Sequence, residues 1–437
     1  MQATVETISN LERRLTVAMP AQPIEEEIGK RLNTLARTAK MAGFRPGKVP
    51  KNIVVQQYGD QVRQEVMSAK VEETFGQAVT QHKLRIAGYP SIAPKPVEGN
   101  PESYEYVATF EVMPEVKIGD LSGVAIERPK VKLTETDVDK TVDVLRNQRA
   151  SYEPVTRAAK VGDRVSIELS STIEGQKVED TGGQSLDLTL GEGGRLPEFD
   201  DNIIGIKPGK SKQFDLTFPA DYHNADLTGK TASYNVTVVS VSAPKLPEVD
   251  AGFAKELGVA DGNVEKMRAD IQESLEQEIA KRIKAVVKQQ VMDGLVAAVD
   301  LELPRSLIAM ECNNQMQTAT QNMQQRGVAL EEINLNPGMF EETAKRVVKL
   351  RMMMMEIVRA NSLQATPDQV RAQIDEFAKN FEQPAEVVAW YFADPKRLDE
   401  PTAVATEENV VNWVLSQAKV SDKKTSFDDL MGNKDKA

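Results

Sequence analysis

A chain of 437 residues is too long for a single core and asks for about three domains at ordinary domain sizes. Its formal charge of −12, with 27% charged and 40% hydrophobic residues, describes an acidic globular protein. One cysteine, Cys312, excludes an intramolecular disulfide, and with only His82 and His223 beside it a zinc site of nitrogen and sulfur ligands has no basis, so no metal is expected.

Residues 1–112 read as a small α+β domain. Thr4 to Ile8 and Arg13 to Ala18 have strand character, with Asn10 at the turn between them. Met1 to Asn10 carries acid and no apolar core, unlike a secretory signal. Ile24, Ile28, Leu32 and Leu35 recur at helical spacing, and a second helix is expected through Ile53, Val62, Val66 and Phe75, with a break near Gly59. Tyr104 to Val112 returns to strand alternation.

Between the two helices lies Gly43-Phe44-Arg45-Pro46-Gly47-Lys48-Val49-Pro50. Two glycines and two prolines cannot continue a helix, so this is a shaped loop. It displays one ring and two cations. From Ile28 to Gly59 there are seven basic residues and no acid, an island of positive charge on an acidic chain. The plainer reading is a helical hairpin whose lysines only keep it soluble. The octapeptide, however, resembles the ribosome-docking signature of the trigger factor family, bacterial chaperones that meet nascent chains at the ribosomal exit. That resemblance extends over nearly the whole chain. It implies docking by Gly43, Phe44, Arg45, Pro46, Gly47 and Lys48 on a ribosomal protein and rRNA phosphates near the exit.

Residues 113–160 form a connector, with a helix over Glu135–Arg149 that Thr134 caps. The resemblance implies that this segment packs toward a distant C-terminal domain. From 161 to 246 the apolar period becomes two, and strands are expected at 164–169, 186–190, 213–218 and 233–241. Leu190-Gly-Glu-Gly-Gly-Arg-Leu-Pro-Glu-Phe199 and Phe218-Pro-Ala-Asp-Tyr-His223 resemble the two signatures of FKBP-type prolyl isomerases.

Such an enzyme needs no nucleophile and no cofactor. Rotation about an X-Pro bond takes tens to hundreds of seconds uncatalysed because amide resonance must be broken. A dry apolar pocket favours the twisted amide, which has lost much of its charge separation. By resemblance Leu196, Phe199, Ile204 and Phe218 supply walls, and Tyr222 and His223 polar edges. Leu169 and Val178 stand where stronger isomerases carry rings, and Glu198 where glycine is common, so weak or substrate-selective activity is expected. The alternative is that Phe199 and Phe218 are simply core.

Residues 247–437 read as all-helical with a flexible tail. An apolar repeat runs from Val264 to Leu295, followed by helices near 307–325, 340–359, 368–381 and 407–419. Eleven of the sixteen methionines lie here, four of them consecutive from Met352 to Met355. Methionine suits adaptable binding surfaces, although most of these side chains would serve helix packing, as would Trp390 and Trp413.

The fold class is therefore multi-domain α+β: an N-terminal α+β domain, an FKBP-like β domain and an all-α C-terminal domain. The resemblance implies an ATP-independent chaperone for nascent and unfolded polypeptides. It leaves a homodimer of the free protein open, and no membrane partner is expected. A prolyl isomerase whose other domains merely recruit substrates is the alternative. A nucleic-acid binder using the basic island is a further one, though the island lacks a series of stacking aromatics.

Overall fold

The structure, a computed structural model, describes residues 2–38, 50–95, 103–173, 176–177, 185–191, 196–219, 229–327 and 334–432. It forms two compact units: Met1–Arg128 with Ala285–Lys423, and Pro129–Lys284 with Lys424–Ala437.

In the first unit, β1 (Gln2–Thr7) and β2 (Glu12–Pro20) make a hairpin in which Leu15, Val17 and Met19 turn inward at every second position. Helices α1 (Ala21–Thr38) and α2 (Lys51–Gln81) cover that face with Ile24, Ile28 and Leu32 from one and Val54, Val62 and Val66 from the other. Gly59 does not break α2. A Cβ there would meet only Val55 Cγ1 at 3.5 Å, so the glycine costs about 1 kcal/mol of helix propensity and the helix runs on. Strands β3 (Ile86–Lys95) and β4 (Ser103–Val112) complete a sheet of order β1-β2-β4-β3. The sequence had not suggested β3, because Pro90 and Pro94 interrupt it. As an edge strand it needs only one ladder, and its register shifts between Ala87 and Ser91 beside the prolines. Strand β5 (Ala125–Lys130) follows.

The second unit opens with α3 (Glu135–Gln148). The Thr134 amide and hydroxyl both donate to Asp137 Oδ2, at 3.0 and 2.6 Å, which ties down the start of this helix. Next come β6 (Ser151–Val155), β7 (Arg164–Ile173), β8 (Gln176–Lys177), β9 (Ser185–Thr189), the short helix α4 (Pro197–Ile203), β10 (Lys210–Thr217) and β11 (Thr231–Lys245). β7 is central, with β11 on one side and β8 and β9 on the other. A bulge at Val239 bends β11, which then pairs with β6. Val142 of α3 packs with Phe253 and Ala254 of α5 (Ala251–Glu256), Val259, and Met267 near the start of α6 (Val264–Ala298).

Helices α7 (Arg305–Gln325), α8 (Glu341–Asn361), α9 (Pro367–Ala378), α10 (Pro384–Phe392) and α11 (Asp399–Gln417) belong to the first unit. α10 was not anticipated, and α11 starts earlier than the expected 407. Pro401 lies in its first turn, where the missing N–H has no intrahelical partner to lose. The segment after Val420 is not a free tail throughout. β12 (Lys419–Lys424) pairs with β5, and α12 (Phe427–Met431) carries Asp428 to 2.8 Å from Lys140.

α7 begins on β4. Glu111 Oε1 accepts the Arg305 amide at 2.9 Å, and Oε2 accepts the Ser306 amide at 2.7 Å and hydroxyl at 2.5 Å. Partial burial pushes the Glu111 carboxyl up, but the Ser306 and Arg305 donors outweigh it and hold it below the ordinary glutamate range. Two otherwise orphaned helix N–H groups are satisfied, and a negative charge meets the positive end of the helix. Glu111→Ala is expected to destabilise the first unit by about 1.5–3 kcal/mol, read as a lower midpoint in urea unfolding followed by Trp390 and Trp413 fluorescence.

Candidate functional site

In the second unit, α4 sets one ring against the sheet. Pro197 occupies its first position and Glu198 and Asp200 its first turn, residue types that suit a helix N-terminus. Asp200 Oδ2 accepts the Gly191 amide at 2.8 Å and so draws the turn after β9 onto α4. Gly191 has φ +87°, and a Cβ would stand 2.8 Å from Val161 Cγ1, so the turn admits only glycine. Phe199 then meets Phe214 edge-on at 5.7 Å and Tyr234 at 5.5 Å. Phe214 and Tyr234 face each other across the β10–β11 ladder and stack at 5.9 Å.

Leu169, Phe199 and Ile204 of the expected wall join this one apolar cluster, Leu169 lying opposite Val236 in register. Leu196 is half-buried at the entry to α4. Phe218 is buried just beyond β10, its N–H bonded to the Lys230 carbonyl at 3.0 Å. Phe199 and Phe218 are each 6% exposed, so both serve as core. Val178, Tyr222 and His223 lie outside the described residues, as do all six docking-loop residues, Gly43 to Lys48. The rings that sequence reasoning missed are Phe214 and Tyr234, the latter partly buried beside Phe199. Strand alternation marked their positions but does not separate a core ring from a pocket ring.

An ion pair between a half-exposed arginine and a buried aspartate braces this frame. Arg157 donates to both oxygens of Asp163, at 2.5 and 2.8 Å, and the Lys160 amide adds a third bond at 2.9 Å. The Asp163 carbonyl accepts from Leu190 N at 3.0 Å, while Ala159 bonds Gly205 and Ile206, so the brace reaches both ends of the α4 segment.

The first unit carries an apolar surface of another kind. Phe377, Phe381, Trp390 and Phe392 lie within 16 residues on and between α9 and α10, and each is close to half exposed, Trp390 at 54%. Trp390 is thus not the packing anchor that its spacing suggested. Its ring carries the Arg397 guanidinium at 4.1 Å, and Arg371 lies 5.4 Å from the Phe392 ring centre. Of the four consecutive methionines, Met352 and Met353 are buried while Met355 is half exposed, as are Met310 and Met339. Among the described residues no cluster of His, Cys, Asp or Glu is arranged to hold a metal ion, and no helix is long and apolar enough to cross a membrane.

Comparison with known proteins decides the family. The model described as bacterial trigger factor protein matches residues 1–145, and that for its C-terminus matches 263–416. A trigger factor from Methylobacillus flagellatus is 54% identical over 433 residues, covering 99% of this chain and all of the relative. This chain belongs to the trigger factor family. A second relative, the trigger factor of Nitrosospira multiformis, is 46% identical with the same coverage. The model for FKBP-type peptidyl-prolyl cis-trans isomerases matches residues 155–239, the segment that holds Phe199 and Tyr234. A solved structure, from work on promiscuous substrate recognition by the trigger factor chaperone, matches with a TM-score of 0.50 and 18% identity over 95% of this chain and 99% of that one, a likeness of fold. The three-domain architecture read from the sequence is that of trigger factors, and the molecule is a chaperone containing an FKBP-type domain rather than an isomerase with recruiting appendages.

Burial raises the Asp163 carboxyl, but Arg157 and the Lys160 amide more than offset it, so its folded-state value lies below the ordinary aspartate range. Its contribution to stability is complete above the unfolded value of about 3.9 and is lost as pH falls through the depressed folded one. Asp163→Asn is expected to speed hydrogen exchange at Gly162 and Leu190 by about tenfold or more at pH 7, with the gap to wild type closing as the pH falls through the depressed folded-state value of Asp163.

Proposed function

We propose that this chaperone works at the ribosome without ATP, holding unfolded and nascent chains on its exposed aromatic and methionine surface. In this reading residues 1–112 dock the ribosome through Phe44, Arg45 and Lys48, residues 161–246 supply prolyl isomerisation, and residues 247–437 hold the client. The observation that carries it is the half exposure of four large rings close together in the chain, Phe377, Phe381, Trp390 and Phe392. Four rings left half in water have unused burial, and each Å² a client covers is worth about 25 cal/mol. The contacts are apolar and non-directional, which suits clients of no fixed sequence and allows release. No phosphate-cradling Gly-x-x-x-x-Gly-Lys-Ser/Thr segment occurs in the sequence, in keeping with a cycle free of nucleotide. The isomerase contribution is small in this reading, because Leu169 puts an aliphatic side chain where an aromatic wall would be deeper.

Ribosome binding, client binding and prolyl isomerisation test the reading separately. Co-sedimentation with ribosomes is expected for the wild type and lost in the triple variant Phe44→Ala, Arg45→Ala, Lys48→Ala at unchanged circular dichroism; binding that survives the substitutions refutes the docking assignment. Trp390→Ala with Phe381→Ala should weaken binding of an unfolded client about tenfold while proline-peptide isomerisation is unaffected. Phe199→Leu should do the reverse, lowering isomerisation about tenfold and leaving suppression of aggregation intact.

A further inference from the structure

At the C-terminal end of α2, the first unit holds a polar cavity of about 460 Å³ where the chain after β4 runs past the end of α8. Its lining carries five cations, Arg13, Lys83, Arg85, Lys117 and Arg359, against two acids, Glu115 and Glu356. On a chain of net charge −12 this is a local reversal of sign. α2 has 31 residues and is therefore about 46 Å long, and this cluster lies at its C-terminal end.

Two of the cations already have work. Arg13 donates to the carbonyls of Ser9, Asn10 and Glu12, and Arg359 grips Glu356 with two bonds, at 3.0 and 2.6 Å. The side chains of Lys83, Arg85 and Lys117 make no hydrogen bond or ion pair with any described residue; Arg85 only feels the Glu356 charge at longer range. Lys83 and Arg359 stand at helix C-termini, where a cation also answers the dipole. Two helix ends at about half a negative charge each still leave the lining near +2. Moreover, the dipole does not explain the backbone of Lys83, which has φ +52° at the C-terminal turn of α2. Glycine is the usual residue there, and a lysine stores strain in order to put its charge at this spot.

We infer that this cavity is a binding site for a small polyvalent oxyanion of the oligophosphate class. Unpaired cations around a concave, partly apolar surface focus positive potential and match a ligand of two or more negative charges. At about 30 Å³ per water the space holds roughly fifteen waters, more than one phosphate group needs. The lining contains no aromatic ring on which a nucleobase would stack, so the ligand is the phosphate group itself rather than a nucleotide. The site is independent of client holding and of ribosome docking.

The test is calorimetric titration of the full-length protein with sodium pyrophosphate at fixed ionic strength, with sulfate as the comparison anion. One-site binding is expected for the wild type, weakened about tenfold or more in Lys83→Gly and in Arg85→Gln with Lys117→Gln, and unchanged in Arg45→Ala with Lys48→Ala. Lys83→Gly removes the charge and relieves the backbone, so it should melt no lower than the wild type, which separates loss of the site from loss of the fold. Absence of pyrophosphate binding by the wild type, or equal binding of sulfate, overturns the inference. So does binding that depends on Arg45 and Lys48 instead. An RNA oligonucleotide whose binding needs Lys83 and is not displaced by pyrophosphate would transfer the site to nucleic acid and equally overturn it.

Discussion

One carboxylate joins the two parts of the first unit. Glu111 leaves the last inward-facing strand of the N-terminal sheet and receives the first two amides of α7, while the Ser306 hydroxyl also lies 2.9 Å from the Ala87 carbonyl. Backbone and side chain approach closely there: a Cβ on Gly88 would sit 2.6 Å from Ser306 Cβ. Helix starts are ordinarily capped by residues just before them in sequence. Here the cap comes from 194 residues away, so α7 can be satisfied only when the sheet is in place. α8 packs on α7 in turn and carries the methionine run, while the pairing of β5 with β12 ties the two pieces of the unit together at a second place.

A protein that displays aromatic rings risks collapsing on them or on its own copies. Arg397 and Arg371 answer that risk: a guanidinium stacked on a ring keeps its own face hydrated and is displaced at small cost. The rings are therefore solvated without being covered. The FKBP-type domain solves the opposite problem. Its rings pack on one another, Phe199 edge-on to the stacked pair Phe214 and Tyr234, and are largely removed from water, while Asp163 and Arg157 brace the turn beside them.

Much of this was legible in local pattern. The strand character of Arg13 to Ala18, the spacing of Ile24, Ile28 and Leu32, and Thr134 at the start of the connector helix are short-range devices, and the structure contains each of them. What escaped depends on partners distant in sequence. Pro90 and Pro94 hid β3, because only an edge position makes them tolerable, and edge position is a property of the assembled sheet. Tyr234 was read as part of a strand, since the same period serves a ring in the core and a ring in a pocket. Trp390 was read as a packing anchor, and it is exposed with Phe377 and Phe381 because no layer among the described residues covers them. β12 and α12 are polar enough to pass for a loose end, and their order comes from pairing with β5 and from Lys140.

The first unit is discontinuous: 156 residues, 129–284, separate its two pieces, and α6 begins in one unit and ends in the other. During synthesis at about 5–20 residues per second, roughly 8–30 s pass between the emergence of Arg128 and that of Ala285. Throughout that interval Glu111 and the backbone beside Gly88 have no α7 to receive, and the N-terminal sheet waits with that face bare while the whole FKBP-type domain is made and folds. A molecule built to attend unfinished chains is, for part of its own birth, an unfinished chain of the same kind.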